Sequence, residues 1–146
     1  MLTLYSFKLT AQTNKIVSLI KDINNSQFCI IHNKRPTFEM HSKAALKLIA
    51  IGLPASKKLE EALSDSTKVI MAHLILCHIY FKVATFAGPK TNVINDKDVS
   101  NYFLGQKDEE GLIISEVNDN GVYKNYIESK AVEKIMSYWK KKIIKK

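Results

Sequence analysis

Val69-Ile70-Met71-Ala72-His73-Leu74-Ile75-Leu76-Cys77-His78-Ile79-Tyr80-Phe81 decides how this chain folds, because every position in it is apolar except His73 and His78. A helix at a protein surface keeps a polar stripe towards water, and this one has none. The stretch therefore reads as a buried central helix, running from Lys68 to Ala84, with the flanking segments packed around it. Leu76 stands at its middle, with Ala72, Ile79 and Tyr80 a turn away on either side. A bilayer span takes roughly 20 apolar residues, so a run of this length with two histidines does not cross a membrane.

Towards the N-terminus, Ser64-Asp65-Ser66 breaks the chain and offers Asp65 or Ser66 as the N-cap of the central helix. Leu59, Ala62 and Leu63 form the apolar face of a short helix that Pro54 opens, since a first-turn proline loses no hydrogen bond. Thr37 reads as the cap of a further helix with Phe38, His41, Ala45, Leu48 and Gly52 on one stripe, ended by Gly52. Upstream, His32-Asn33-Lys34-Arg35-Pro36 is a turn, because proline moves its predecessor out of helical geometry. Phe28-Cys29-Ile30-Ile31 is a brief strand by its β-branched and aromatic content. Ile16, Leu19, Ile20 and Ile23 mark an amphipathic helix from Ala11 to Ile23, and Tyr5, Phe7 and Leu9 alternate as an edge strand would.

Towards the C-terminus, Gly88-Pro89 terminates the central helix, and Asp96 caps a short helix within 92–104 that carries Val99, Tyr102 and Phe103. Leu112 to Val117 has strand composition. Asn120-Gly121 then signals a tight hairpin, since both residues tolerate positive φ, and Val122 to Ile127 is the return strand. A last helix from Ser129 to about Ile144 places Val132, Ile135, Met136, Trp139 and Ile143 on one stripe. Lysines 140, 141, 142, 145 and 146 complement the negative end of its dipole.

Ala44-Ala45, Leu48, Ile51-Gly52, Pro54-Ala55, Leu59, Ala62-Leu63, Asp65, Val69, Ala72, Leu76 and Ile79 resemble, in spacing and residue type, a HEAT-like helical repeat over residues 44–83. The resemblance implies a two-helix unit of the kind that stacks into α-solenoids and binds other proteins. A single unit cannot bury its own face, so the first helix and the C-terminal segment act as its caps. The fold expected is one domain over residues 1–146, mostly α within an α+β class. Its core is a HEAT-like helical hairpin, followed by a C-terminal β-hairpin and a terminal helix.

The chain's 146 residues, 46% hydrophobic and 25% charged, suit one globular domain with a core of its own. The N-terminus lacks a basic start, an apolar stretch and a small-residue cleavage site, which predicts a cytoplasmic protein. Cys29 and Cys77, both in apolar sequence, are too few for a disulfide framework and read as buried free thiols. A net charge of +8 raises nucleic acid as a partner, yet 21 lysines accompany a single arginine, Arg35. Arginine supplies the planar fork of specific nucleic-acid sites. With 17 isoleucines and 10 asparagines beside them, the lysines read as compositional drift, so no specific nucleic-acid partner and no membrane partner is expected.

Chemistry-bearing patterns are sparse. His73 and Cys77, at i and i+4, present two ligands from one helical face, and a third would have to come from His41, His32 or an acidic residue such as Glu61. Cys77 with a histidine base is also a nucleophile pattern, without an elbow or oxyanion hole beside it. Gly88, Gly105, Gly111 and Gly121 each end an element and form no phosphate cradle. Glu60-Glu61 and Asp108-Glu109-Glu110 read as solvated charge, with no apolar setting to raise a pKa. No catalytic residue, cofactor or metal is predicted, and His73 and Cys77 are the sole metal candidates. The expected role is a non-catalytic protein–protein interaction module, a bacterial-type adaptor or toxin-immunity protein. The alternative is a small enzyme or metal protein using His73 and Cys77.

Overall fold

The computed structural model describes residues 2–145, with side chains from Thr10 onward, so the expectation for Lys146 falls outside the described residues. Chain order is α1 (Leu2–Asp22), a 3-10 turn, β1 (Phe28–Ile31), β2 (Thr37–Met40), α2 (Lys43–Ile51), a second 3-10 turn, α3 (Ser56–Ala62) and α4 (Val69–Phe81). Then come β3 (Thr85–Ile94), β4 (Lys97–Gly105), β5 (Leu112–Asp119), β6 (Val122–Tyr126) and α5 (Ser129–Ile144). β1 and β2 form a two-stranded antiparallel sheet, and β3-β4-β5-β6 a four-stranded antiparallel meander. The fold is α+β, and this overturns the mostly helical, HEAT-like hairpin core. α2 and α3 are only nine and seven residues long, and the central helix they touch packs on β4 as well.

α4 is where the layers meet. Val69 through Cys77 and Ile79 are buried, as the unbroken apolar run requires. α2 and α3 cover it from one part of the chain and β4 from another, while α1 packs on α2 and α3, and α5 on α3 and β5. The stripe expected on α5 is the one that docks: Ile135 and Trp139 are fully buried, and Val132, Met136 and Ile143 pack against the core at its rim. The helix ends earlier than Gly88-Pro89. Lys82 turns left-handed at φ 67° and its N–H closes on the His78 carbonyl at 3.1 Å.

Three further expectations change for local reasons. Residues 2–9 belong to α1 and not to an edge strand, because a short alternating run of leucine, tyrosine and phenylalanine also fits a helix. Thr37 does not cap a helix. Thr37–Met40 pairs antiparallel with Phe28–Ile31 across the predicted turn, and Ser42 caps α2 by accepting from the Ala45 N–H at 3.2 Å. Phe38 and His41 accordingly leave the helical stripe. The segment 92–104 is the β3–β4 hairpin, turning at Asn95 and Asp96 with φ of 50° and 59°. Asn and Asp enter that region more readily than other side-chain-bearing residues, so a tight turn forms without glycine. Gly88-Pro89 lies within β3 at the register shift between Ala87 and Lys90.

The apolar core holds a hydrogen-bonded chain built on His73. The Trp139 indole Nε1–H donates to His73 Nδ1 at 3.0 Å, and His73 Nε2 lies 2.9 Å from the Leu104 carbonyl oxygen. An indole nitrogen only donates, so Nδ1 accepts and the ring proton sits on Nε2, donating to Leu104. His73 is thus neutral, and burial holds its pKa down at about 4 against an ordinary 6.5.

Two measurements check this core. Leu76, fully buried at the middle of α4, should lose roughly 2–5 kcal/mol of stability as Leu76→Ala in a denaturant melt. Lys82→Gly should instead gain up to about 1 kcal/mol by removing a left-handed lysine. Equal midpoints for the two variants would contradict the packing described. The second concerns pH. The unfolded chain takes up a proton on His73 near 6.5 while the folded chain resists until about 4, so stability is complete above that window and falls as pH drops through it. A displacement of this size is worth roughly 3 kcal/mol. Half-buried His78 is shifted in the same direction, and Asp65, held down to about 2, weakens the fold only at still lower pH. Urea midpoints that stayed level across the His73 window would refute a neutral, buried His73.

Candidate interaction surface

The β5–β6 hairpin turns at Asn120 and Gly121 with φ of 53° and 86°, and the Asn118 side chain accepts from the Gly121 N–H at 2.8 Å. Asp119 pairs with Val122, Asn118 with Tyr123, Val117 with Lys124 and Glu116 with Asn125. In a two-residue hairpin the pair flanking the turn is hydrogen-bonded and the pairs alternate from there. The peptide groups of Tyr123 and Asn125 therefore point away from β5. Among the described residues no strand follows β6 in the sheet, and all five of its residues are exposed, Val122 at 57%, Tyr123 at 52% and Tyr126 at 53%.

The two edges of the sheet differ. β3 carries Pro89, a register shift and Lys90, each of which discourages further pairing. β6 reads Val-Tyr-Lys-Asn-Tyr, with neither proline nor bulge and one lysine. It is an open template for another strand.

Where β6 ends, a cleft of about 640 Å³ opens between the start of α4, the turn before β1 and the start of α5. Phe28, Leu63, Val69, Ile70, Ile127 and Val132 give it apolar walls, and serine, asparagine and Glu133 side chains line the remainder. Asn25 fixes one wall. Its backbone N–H donates to the Thr67 carbonyl at 2.7 Å and its side-chain amide to the Ser66 carbonyl at 2.8 Å. Its Oδ1 accepts from Ile70 N at 2.9 Å and Met71 N at 3.4 Å, which caps α4 from a distant part of the sequence. The expected cap, Asp65, instead orders the preceding turn. Hydrogen bonds from the Thr67 hydroxyl and Lys68, with the Thr67 N–H, hold its carboxyl at about 2.

His73 and Cys77 do meet, with Sγ 3.6 Å from Nε2, but both are fully buried and both histidine nitrogens already serve Trp139 and Leu104. Burial, with the Glu110 carboxylate as a second cause, pushes the Cys77 thiol up, so it stays protonated and is a poor nucleophile. The third-ligand candidates stand elsewhere: His41 beside Glu39 at 3.1 Å, Glu61 on Lys58 at 2.6 Å, and His32 on Glu116 at 2.7 Å. Among the described residues no three histidine, cysteine or acidic side chains gather to hold a metal ion.

Three readings of polarity are corrected. Cys29 is exposed, not buried. Glu110 is fully buried, its carboxylate accepting from the backbone N–H groups of Gln106 and of Lys107, the latter at 2.7 Å. Glu60 is buried beside Lys57. Sequence reasoning found the Asn-Gly turn but not that β6 ends the sheet, and the absence of proline and of repeated charge in Val122–Tyr126 was the available signal. No helix among the described residues is long and apolar enough to cross a membrane. No protein-family model, curated protein or solved structure matches the chain.

Proposed function

We propose that this chain is a non-catalytic protein-binding module, of adaptor or toxin-immunity type, that takes an extended segment of its partner along β6. The observation that carries the reading is the unprotected edge of β6, exposed at every residue and leading into the 640 Å³ cleft. Strand addition draws affinity from main-chain hydrogen bonds and specificity from pockets beside the edge, and here the cleft supplies the pocket. Lys124 on β6 and the lysines of α5, on a chain of net charge +8, favour a segment that carries acidic as well as apolar side chains. The same charge disfavours a second copy of the chain on this edge. Cys29, exposed and free, suits the reducing conditions of a cytoplasm.

A displayed library of random linear peptides, selected on the folded chain, tests the reading. Selected peptides should be acidic and apolar in composition and should protect the amides of Tyr123 and Asn125 from exchange. Asn125→Pro removes an outward N–H at a sheet edge, where proline is tolerated, so it should abolish peptide binding while shifting stability by about 1 kcal/mol or less. Peptides that bound Asn125→Pro as well as the parent chain would overturn strand addition. A dimer through β6, seen as a doubled mass in solution, would replace the foreign segment with a second copy.

A further inference from the structure

The four-stranded sheet has two faces, and only one belongs to the core. Tyr102, Leu104, Leu112 and Ile114 face the helices. Further along that face the chain turns polar. Ser100, Glu116 and Asn118 border a cleft of about 380 Å³ between the β1–β2 turn and the sheet, where Glu116 meets His32 at 2.7 Å. The opposite face reverses the order. Val99, Phe103, Ile113 and Val117 alternate with those residues and so point the other way, and none of them joins the core cluster. Ile113 is 42% exposed, although an uncovered sheet face ordinarily alternates to polar residues.

The ladder registers set this outer face out in rows running from β3 to β6. One row reads Ile94, Lys97, Asp119, Val122, with Lys97 Nζ 3.6 Å from Asp119 Oδ1. The next reads Asn92, Val99, Val117, Lys124, and the third Lys90, Asn101, Ser115, Tyr126. A fourth holds Phe103 and Ile113 on the two middle strands. Such a surface fits its own reverse. A two-fold axis along the strands, passing between β4 and β5, lays each row of one copy on the same row of another, read backwards. Lys97 then faces Asp119 of the second copy and Asp119 faces its Lys97, so four charges alternate in a ring. Val99 meets Val117, Phe103 meets Ile113, Ile94 meets Val122, and Lys90 stands over the Tyr126 ring. Aligned sheets cross at about 30° because each is twisted, which keeps the middle strands in contact and carries Lys124, at a corner, towards water.

The area suits a reversible pair. Four strands about 4.8 Å apart, over six residues of about 3.4 Å rise, span roughly 400 Å² of plane per copy, or about 1,000 Å² of covered surface across two copies. Interfaces of that size lie at the weak end of specific ones. The net charge of +8 opposes pairing at long range, and at physiological salt it is screened beyond about 8 Å.

We propose that this chain pairs with a second copy of itself, outer sheet face on outer sheet face, about that two-fold axis. β6 lends the side chains of Val122, Lys124 and Tyr126 to the face, while its main-chain edge lies in the plane of the sheet and stays open in the pair. The pairing goes beyond the strand-binding reading and does not rest on it.

Sedimentation equilibrium of the full chain at physiological salt tests the pairing. Doubled mass should set in with a dissociation constant on the order of 10–100 µM, as an interface of this size allows. Ile113→Lys alters an exposed residue at the centre of the face and should raise that constant about tenfold or more, whereas Asn125→Pro, at the edge, should leave it unchanged. Lys97→Asp alone and Asp119→Lys alone set like charges across the axis, so each should stay monomeric. An equimolar mixture of the two should associate, because each copy then supplies the charges that the other lacks. Only contact between copies gives that result. Both side chains are exposed, at 52% and 40%, so the mixture decides the matter if Ile113→Lys does not fold. A chain still monomeric at several hundred micromolar, association untouched by Ile113→Lys, or a mixture no more associated than its components would overturn the proposal. Association lost in Asn125→Pro and kept in Ile113→Lys would also overturn it, and would place the second copy on β6.

Discussion

The structure depends on the hydrogen bonds at His73, from the Trp139 indole at 3.0 Å and to the Leu104 carbonyl at 2.9 Å. Apolar contacts press α5, α4 and the sheet together, but they are non-directional and tolerate many rotations of one element on another. The imidazole does not. Its two nitrogens need a donor on one side and an acceptor on the other, inside a region with no water to substitute. The observed rotation of α4, position of α5 and register of β4 supply both at once. One buried histidine in a nearly apolar run thereby ties three elements together.

That placement determines what is left open. With α4 spanning the apolar half of the sheet, where Tyr102, Leu104, Leu112 and Ile114 are buried, the far half of the same face extends past the helices. Ser100, Glu116 and Asn118 lie there, and the β1–β2 turn covers them only in part. α5, docked through Ile135 and Trp139, leaves β6 without a neighbour on its outer side. The open edge and the polar cleft are both consequences of where the helices stop.

Much of this was legible where local physics suffices. α4 and α5 follow from their apolar patterns, β1 from its composition, and the β5–β6 hairpin from Asn120-Gly121 with alternating flanks. Misreadings came where a short pattern fits two periods. Val99, Tyr102 and Phe103 are spaced as on a helix, yet in β4 the residues that join the main core cluster are Tyr102 and Leu104, two apart, while Val99 is buried outside that cluster. Thr37 is as good a strand starter as a cap, and only its pairing with Ile31 decides between them. The helical-hairpin core expected over residues 44–83 drew on small and branched apolar residues of α2, α3 and α4, and those residues also suit helices packed on a sheet. Asn25 as the cap of α4 was out of reach, since nothing near either segment announces the other.

His73 and Glu116 are two of the polar residues buried in this fold, beside Glu110 and Ser56, and their surroundings differ. A buried polar residue kept for architecture should have all its hydrogen-bonding capacity met by the protein, because any unmet part weakens the fold for no return. His73 meets that condition with both nitrogens engaged and no exposure. Glu116 does not: one carboxylate oxygen takes both protein contacts while the residue borders a cleft. Ser56 Oγ, buried without a partner among the described residues, shows that incomplete hydrogen bonding does not by itself mark a site. His73, with both ring nitrogens engaged by Trp139 and Leu104 and Cys77 beside it, belongs to the joint between α4, α5 and β4, and its i, i+4 spacing to Cys77 serves packing there.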